Sequence, residues 1–237
     1  MSLLVAIEGA DGAGKATAAS NLRDALQQQG LSATVISFPR YQETVGGVAL
    51  GEFLSGRMPV PVTPQAAAIL YAMDRFESVG YVQKAALDHD VVIFDRYIAS
   101  NMAYQASKVS PEEAPQLMDW ILTLETRTFG VLPPDLSIYL DTPLDVAREL
   151  MLRKSARSYT ERQYDEHEAD LRLQENVRTN YARLAACDLI GTWRVVRTAR
   201  DGTLRPPLEI ASEILHHVSG AMRTEDFERR ARIASRA

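Results

Sequence analysis

Five apolar residues, Leu3 to Ile7, run into Glu8 and then into Gly9-Ala10-Asp11-Gly12-Ala13-Gly14-Lys15-Ala16-Thr17. This junction constrains the fold more than any other stretch. A buried strand that breaks into a glycine-bearing turn and continues as a helix aims free backbone N–H groups, at the positive end of the helix dipole, into one small space. Such a space suits a polyphosphate. The glycines let backbone curl around anionic oxygens, and Lys15 adds a mobile cation for the outer phosphates. The spacing is Gly, four residues, Gly-Lys, as in phosphate-binding P-loops. A glycine-rich turn that merely joins strand to helix is the plain alternative, but motif and context agree on the first reading. One position departs from the pattern. Ala16 stands where a Ser or Thr hydroxyl would meet Mg²⁺, and Thr17 points about 100° away on a helix.

The chain is long enough, at 237 residues with 46% hydrophobic side chains, for one sizeable core, and nothing in it requires a second. A net charge of -5 without long charged blocks argues against a nucleic-acid groove or an anionic membrane as main partner. No bilayer-length apolar run and no signal-peptide pattern is visible, so a cytoplasmic location is expected. Cys187 is the single cysteine. It cannot form an intrachain disulfide and reads as a small buried hydrophobe.

Further along, residues 33–38 read as a second strand ending in Phe38-Pro39-Arg40-Tyr41, and in open α/β sheets ligands sit at that carboxyl edge. A short helix is expected over 45–54, and Thr63 with Pro64 opens a long one running to about 87. Tyr71 and Arg75 share a face of that helix. Tyr71 is either an ordinary core aromatic or a ligand contact, whereas a guanidinium among apolar neighbours calls for a partner. A third strand, 91–94, ends in Asp95-Arg96-Tyr97, and a fourth, 136–140, in Asp141. Both acids are candidates for a strand-end Mg²⁺ role, with Asp95 preferred. Asn101, Tyr104 and Gln105 share a helical face and either read a ligand or cap a loop. A helix is expected over 111–128 and another from 146. The basic stretch 153–162 is either a solvated surface or a lid closing over phosphates, and Asp165 to Glu168 open a helix through 186. A fifth strand at 193–196, a loop at 197–202, a closing helix at 206–218 and a tail complete the reading. His167, His216 and His217 point only weakly to metal.

Taken together, these residues resemble the thymidylate kinases, P-loop nucleoside monophosphate kinases that pass the terminal phosphoryl of ATP to dTMP. The resemblance rests on the 8–17 loop, Phe38-Pro39-Arg40, Tyr71 to Arg75, Asp95-Arg96-Tyr97 through Gln105, Pro134-Asp135-Leu136 to Asp141, and Asp165 with Glu168. It covers nearly the whole chain to about residue 218.

The resemblance implies an α/β P-loop kinase fold with a five-stranded parallel sheet flanked by helices on both faces. It implies a single domain over 1–218, with a lid at about 153–164 and a helical or disordered tail over 219–237. ATP would lie on Gly9, Ala10, Asp11, Gly12, Ala13, Gly14, Lys15, Ala16 and Thr17. The dTMP site would comprise Asp11, Phe38, Pro39, Tyr41, Tyr71, Arg75, Arg96, Asn101, Tyr104 and Gln105. In that site Tyr71 stacks on thymine, Arg75 meets its carbonyl edge and Tyr104 crowds the sugar 2′ position. Lys15, Asp11 and Arg96 would act in catalysis. Gly12 occupies the place where one class of relatives carries a basic residue, so Arg153 and Arg157 of the lid are expected to supply the transition-state cation. With Ala16 lacking a hydroxyl, Asp11, Glu168 and Asp165 become the candidate Mg²⁺ ligands. A homodimer is implied too, with no nucleic-acid or membrane partner. Another nucleoside monophosphate kinase, a P-loop ATPase and a non-catalytic nucleotide-binding module are the alternatives.

Overall fold

The computed structural model describes residues 2–157 and 171–234, with side chains at 152–157 and 223–234 outside the description. Five strands form one parallel sheet: β1 (Leu3–Glu8), β2 (Ala33–Ser37), β3 (Val91–Asp95), β4 (Leu136–Asp141) and β5 (Thr192–Arg197), in the order β2-β3-β1-β4-β5. The sheet is buried on both faces, which is why its central strands read as unbroken apolar runs. Alternation along each strand then sorts the side chains. Leu3, Val5 and Ile7 of β1, Val91 and Ile93 of β3, and Ile138 and Leu140 of β4 enter one core with Leu22 and Leu26 of α1 (Lys15–Gln28) and Ile210 and Ile214 of α9 (Pro207–Ala234). Leu4, Ala6, Val92, Phe94 and Tyr139 enter the opposite core. That core is filled from α5 (Ile98–Ala106), α6 (Ala114–Thr123) and α8 (Leu171–Ala186).

Four further helices complete the fold, one of them adding Val82 and Ala85 to that second core. They are α2 (Val45–Leu54), α3 (Pro64–Glu77), α4 (Val79–Asp88) and α7 (Leu144–Arg157). Thr44 caps α2 by accepting from the Gly47 N–H at 2.8 Å, and Thr63 caps α3 through the Ala66 N–H at 3.2 Å. The strand register places Ile7, Ser37 and Asp95 side by side, with Glu8 opposite Tyr139. The chain leaves the sheet here in different directions, the crevice where open α/β sheets take their ligands.

Several elements differ from the sequence expectation. The helix expected over 64–87 divides at Ser78, whose side chain donates to the Asp74 carbonyl at 2.7 Å. The helix expected over 111–128 starts at Ala114 and closes in a π-helical turn, Leu124–Thr128. The stretch 197–202 is not a plain loop: β6 (Ala199–Arg200) pairs antiparallel with β7 (Thr203–Leu204). α9 continues to Ala234, so no break in helix falls at 218. Cys187 is exposed rather than buried, because it lies where α8 has ended and the chain turns toward β5. No described helix is long and apolar enough to cross a membrane.

Candidate active site

The Gly9 to Thr17 loop takes its shape from its own backbone. Gly12 and Gly14 sit at φ 76° and 85°, in the left-handed region. At Gly12 space is also missing: a Cβ would lie 2.3 Å from the Ala147 carbonyl oxygen of α7. No side chain fits there, so position 12 itself cannot carry a cation. The first bond of the α1 ladder is Ala18 N–H to the Gly14 carbonyl, so the N–H groups of Lys15, Ala16 and Thr17 precede it. Lys15 is buried and its Nζ donates to the Gly9 and Ala10 carbonyls at 2.9 and 2.7 Å. Burial and then the nearby Arg96 guanidinium lower its pKa to about 8, Asp11 opposing them. Ala16 and Thr17 are exposed.

Arg96 follows β3 with φ 66°, an uncommon conformation for a non-glycine residue that costs about 1 kcal/mol or more. Its neighbours hold it there. The Arg96 N–H donates to the Ile7 carbonyl at 3.1 Å, and the next N–H, of Tyr97, donates to Glu8 Oε1 at 2.8 Å. The turned side chain ion-pairs with Asp11 and lies 5.3 Å above the Tyr104 ring. Burial by itself would raise the Asp11 pKa, but Arg96 and then Lys15 outweigh it and hold the carboxyl well below the usual range.

Beside this pair lies a cavity lined by Asp11, Phe38, Pro39, Tyr41, Leu54, Tyr71, Arg75, Arg96, Ser100 and Tyr104. Arg75 lies deep at one end, 2% exposed, gripped through Nε and Nη2 by Glu125 of the π-helical turn, the Nη2 bond measuring 2.6 Å. Phe38 lies under it, with the guanidinium carbon 5.9 Å from the ring. Asn101 and Gln105 are fully buried and stand outside this lining. The Phe38 to Tyr41 segment is fixed by Asp74, which accepts from the Arg40 N–H at 3.0 Å and from Thr44. Arg40 itself turns out of the cavity, donating to Ser78 at 3.1 Å and lying 4.2 Å over the Tyr81 ring. Gly47 is required beneath it, since a Cβ there would sit 2.0 Å from the Arg40 carbonyl oxygen.

Helix α8 supplies contacts that the sequence reading passed over. Gln174 accepts from the Asp11 N–H at 3.0 Å and donates to Asp11 Oδ2 at 2.9 Å. Arg178 donates to Asp141 at 2.7 Å and Tyr181 to Glu8 at 2.9 Å. Three polar residues at helical spacing beside buried Leu173, Val177 and Leu184 were the available signal. Glu8, fully buried, also accepts from Ser100 at 2.6 Å, and burial raises its pKa against those hydrogen bonds. Of the two strand-end acids, Asp141 is thus committed to Arg178. Arg153 and Arg157 fall on the backbone of α7 with side chains outside the description, and Asp165 and Glu168 lie outside the described residues altogether.

The thymidylate kinase family model matches residues 7–200, well over half of the chain. The chain belongs to the thymidylate kinase family. A thymidylate kinase of Mycobacterium tuberculosis is 35% identical over 211 residues, 86% of this chain and 98% of the relative. One from Thermomicrobium roseum is 32% identical over 229 residues, 94% of this chain and 97% of its own. Among solved structures, a thymidylate kinase from Candida albicans superimposes with a TM-score of 0.70 at 22% identity, covering 92% of both chains. That likeness concerns the fold, and it matches the parallel sheet with helices on both faces. Within the family frame, the loop and cavity above occupy one continuous edge of the sheet.

Proposed function

We infer that this chain is a kinase that transfers the terminal phosphoryl group of ATP to dTMP, yielding dTDP and ADP. One observation carries this reading. A single cavity is lined by Arg75, Tyr71 and Phe38 together with Arg96 and Asp11, and the Asp11 carboxylate feels the charge of Lys15 in the adjoining loop. A nucleoside monophosphate laid along it would present its base to Arg75 and its phosphate to Arg96, facing polyphosphate on the loop.

An acceptor phosphate oxygen then attacks the terminal phosphorus of ATP while the bond to the leaving ADP oxygen breaks. The acceptor is already an anion, so no strong base is needed. What opposes the step is repulsion between two nucleotides, and the transition state is loose, so positioning and charge cancellation supply the catalysis. Lys15 and the loop amides would neutralise the donor, and Arg96 the acceptor. Tyr104, beneath Arg96, would crowd a 2′-hydroxyl. Arg153 and Arg157 remain the proposed lid cations, a role the closed space at Gly12 supports.

For Mg²⁺ the donor set is incomplete among the described residues. Ala16 has no hydroxyl, and the two oxygens of Asp11 are held by Arg96 and Gln174. No group of three or more His, Cys, Asp or Glu side chains converges among the described residues. These residues do not make a metal shell, and no step above runs through one. Mg²⁺ is proposed as the companion of ATP, with Asp11, Asp165 and Glu168 as candidates that act through bound water, the Asp11 oxygens being already engaged. A homodimer is also proposed, supported by the exposed Val48, Ile69 and Phe76 on α2 and α3, and a cytoplasmic location is proposed alongside it.

The test is ADP release with dTMP, dUMP, dCMP, AMP and GMP as acceptors. Turnover highest with dTMP is expected, and absence of turnover with dTMP overturns the reading.

A further inference from the structure

At the carboxyl end of β1, oxygen atoms from three elements form a closed triangle. Glu8 Oε2 lies 2.6 Å from Ser100 Oγ of α5 and 2.9 Å from Tyr181 Oη of α8, and those two hydroxyl oxygens lie 2.8 Å from each other. Glu8 and Tyr181 are fully buried, and Ser100 is buried at the wall of the cavity. Every edge of the triangle is of hydrogen-bond length, and each edge needs a hydrogen. The two hydroxyls bring one each. With Glu8 ionised, the third edge sets oxygen lone pairs against each other in a buried place, which is costly. With a proton on Oε2 the count closes: each oxygen donates once and accepts once around the ring, so one hydroxyl gives to the other and not to Glu8. The second carboxyl oxygen, Oε1, already accepts the Tyr97 N–H at 2.8 Å.

We propose that Glu8 is a positioning residue for Arg96 that works as a neutral acid: Oε1 holds the turned backbone after β3 through the Tyr97 N–H, while the proton on Oε2 keeps a second negative charge away from the guanidinium. This rests on reading Arg96 as the group that meets the acceptor phosphate. Arg96 sits at φ 66°, and the turn is held by its own N–H on the Ile7 carbonyl and by the Tyr97 N–H on Glu8. Without the second bond the backbone relaxes toward conformations that non-glycine residues prefer, and the guanidinium leaves its place above the Tyr104 ring. Charge matters as much as shape. Arg96 is already ion-paired with Asp11, so an ionised Glu8 would set a second carboxylate beside it and repel an incoming phosphate. Among the described residues, the titratable and charged groups facing Glu8 are Arg96, Lys15 of α1, Tyr181 of α8 and Tyr139, its register partner on β4. Burial favours the acid and outweighs the hydrogen bonds and the Arg96 charge that favour the carboxylate.

Two measurements test this. The infrared difference spectrum of wild type minus Glu8→Gln at about pH 7 should show the carbonyl stretch of a protonated carboxylic acid, and carboxylate bands in its place overturn the proposal. By calorimetry, Glu8→Leu, which removes the acceptor of the Tyr97 N–H, should weaken dTMP binding at least about tenfold and binding of a non-hydrolysable ATP analogue by less than about twofold. Glu8→Gln, whose oxygen keeps the Tyr97 N–H and whose NH₂ stands in for the acid proton, should recover most of that loss. With Arg96→Ala already in place, Glu8→Leu should weaken dTMP by less than about twofold further, because it acts through Arg96. A loss of the same size in both backgrounds, or one shared equally by the ATP analogue, marks a merely structural role and overturns the proposal. If Glu8→Leu does not fold, Glu8→Met fills the space more flexibly and carries the same comparison. Wild type that binds and turns over dTMP yet fails these comparisons refutes this inference alone. Wild type inert toward dTMP refutes the proposed function beneath it.

Discussion

Lys15 gives a prediction whose size follows from its surroundings. Buried beside Arg96, its ammonium has a pKa of about 8, down from 10.5. A polyphosphate seated on the loop brings negative charge to Nζ and restores the protonated form. Above pH 8, then, binding must recruit a proton. About nine in ten free molecules carry it at pH 7 and about one in eleven at pH 9, so affinity for a non-hydrolysable ATP analogue should fall about tenfold across that interval, or about 1.4 kcal/mol. Titration calorimetry in buffers of different ionisation enthalpy should register uptake of about half a proton at pH 8. Lys15→Met, with no ammonium to titrate, should bind more weakly and with this pH dependence flattened. Wild-type affinity that stays constant from about pH 7 to pH 9 without proton uptake would refute the reasoning, because Lys15 would then either be protonated throughout or stand clear of the phosphates.

The Glu8 carboxyl binds its proton more tightly in the folded chain than in the unfolded one, so its contribution is full below the ordinary value of 4.5 and is lost as pH rises above it. Glu8→Gln should therefore gain stability relative to wild type between about pH 5 and about pH 8 in urea unfolding, and a constant difference would contradict the sign. Asp74→Ala leaves the Arg40 N–H and Thr44 without their acceptor and should cost about 3 kcal/mol, a fall in Tm of roughly 6 to 12 °C for a chain of this size. Its KM for dTMP should rise more than its KM for ATP, because the Phe38 to Tyr41 wall is released. Asp74→Asn, which can turn its oxygen to Arg40 and its NH₂ to Thr44, should cost only about 1 kcal/mol. Equal losses in the two variants would show that shape, not acceptor chemistry, holds that wall.

The sequence by itself determined what depends on local order. The apolar run into Gly9 to Thr17 specifies strand, loop and helix, because each step is a local preference. The strand ends at Phe38, Asp95 and Asp141 could be read from where apolar runs give way to proline or charge. The gathering of Phe38, Tyr71, Arg75, Arg96 and Tyr104 around one cavity came from a family resemblance, not from spacing. Only the tertiary structure decided which side chains meet across the sheet. Glu125 lies on the apolar face of its helix, four residues after Ile121, and nothing local marks it as the partner of Arg75, 50 residues away. Gln174 reaches Asp11 across 163 residues and Tyr181 reaches Glu8 across 173. The exposure of Cys187 and the turned backbone of Arg96 were hidden for the same reason. Burial and ion pairing are set by whatever the fold brings opposite a residue, and that neighbour is written nowhere near it in the chain.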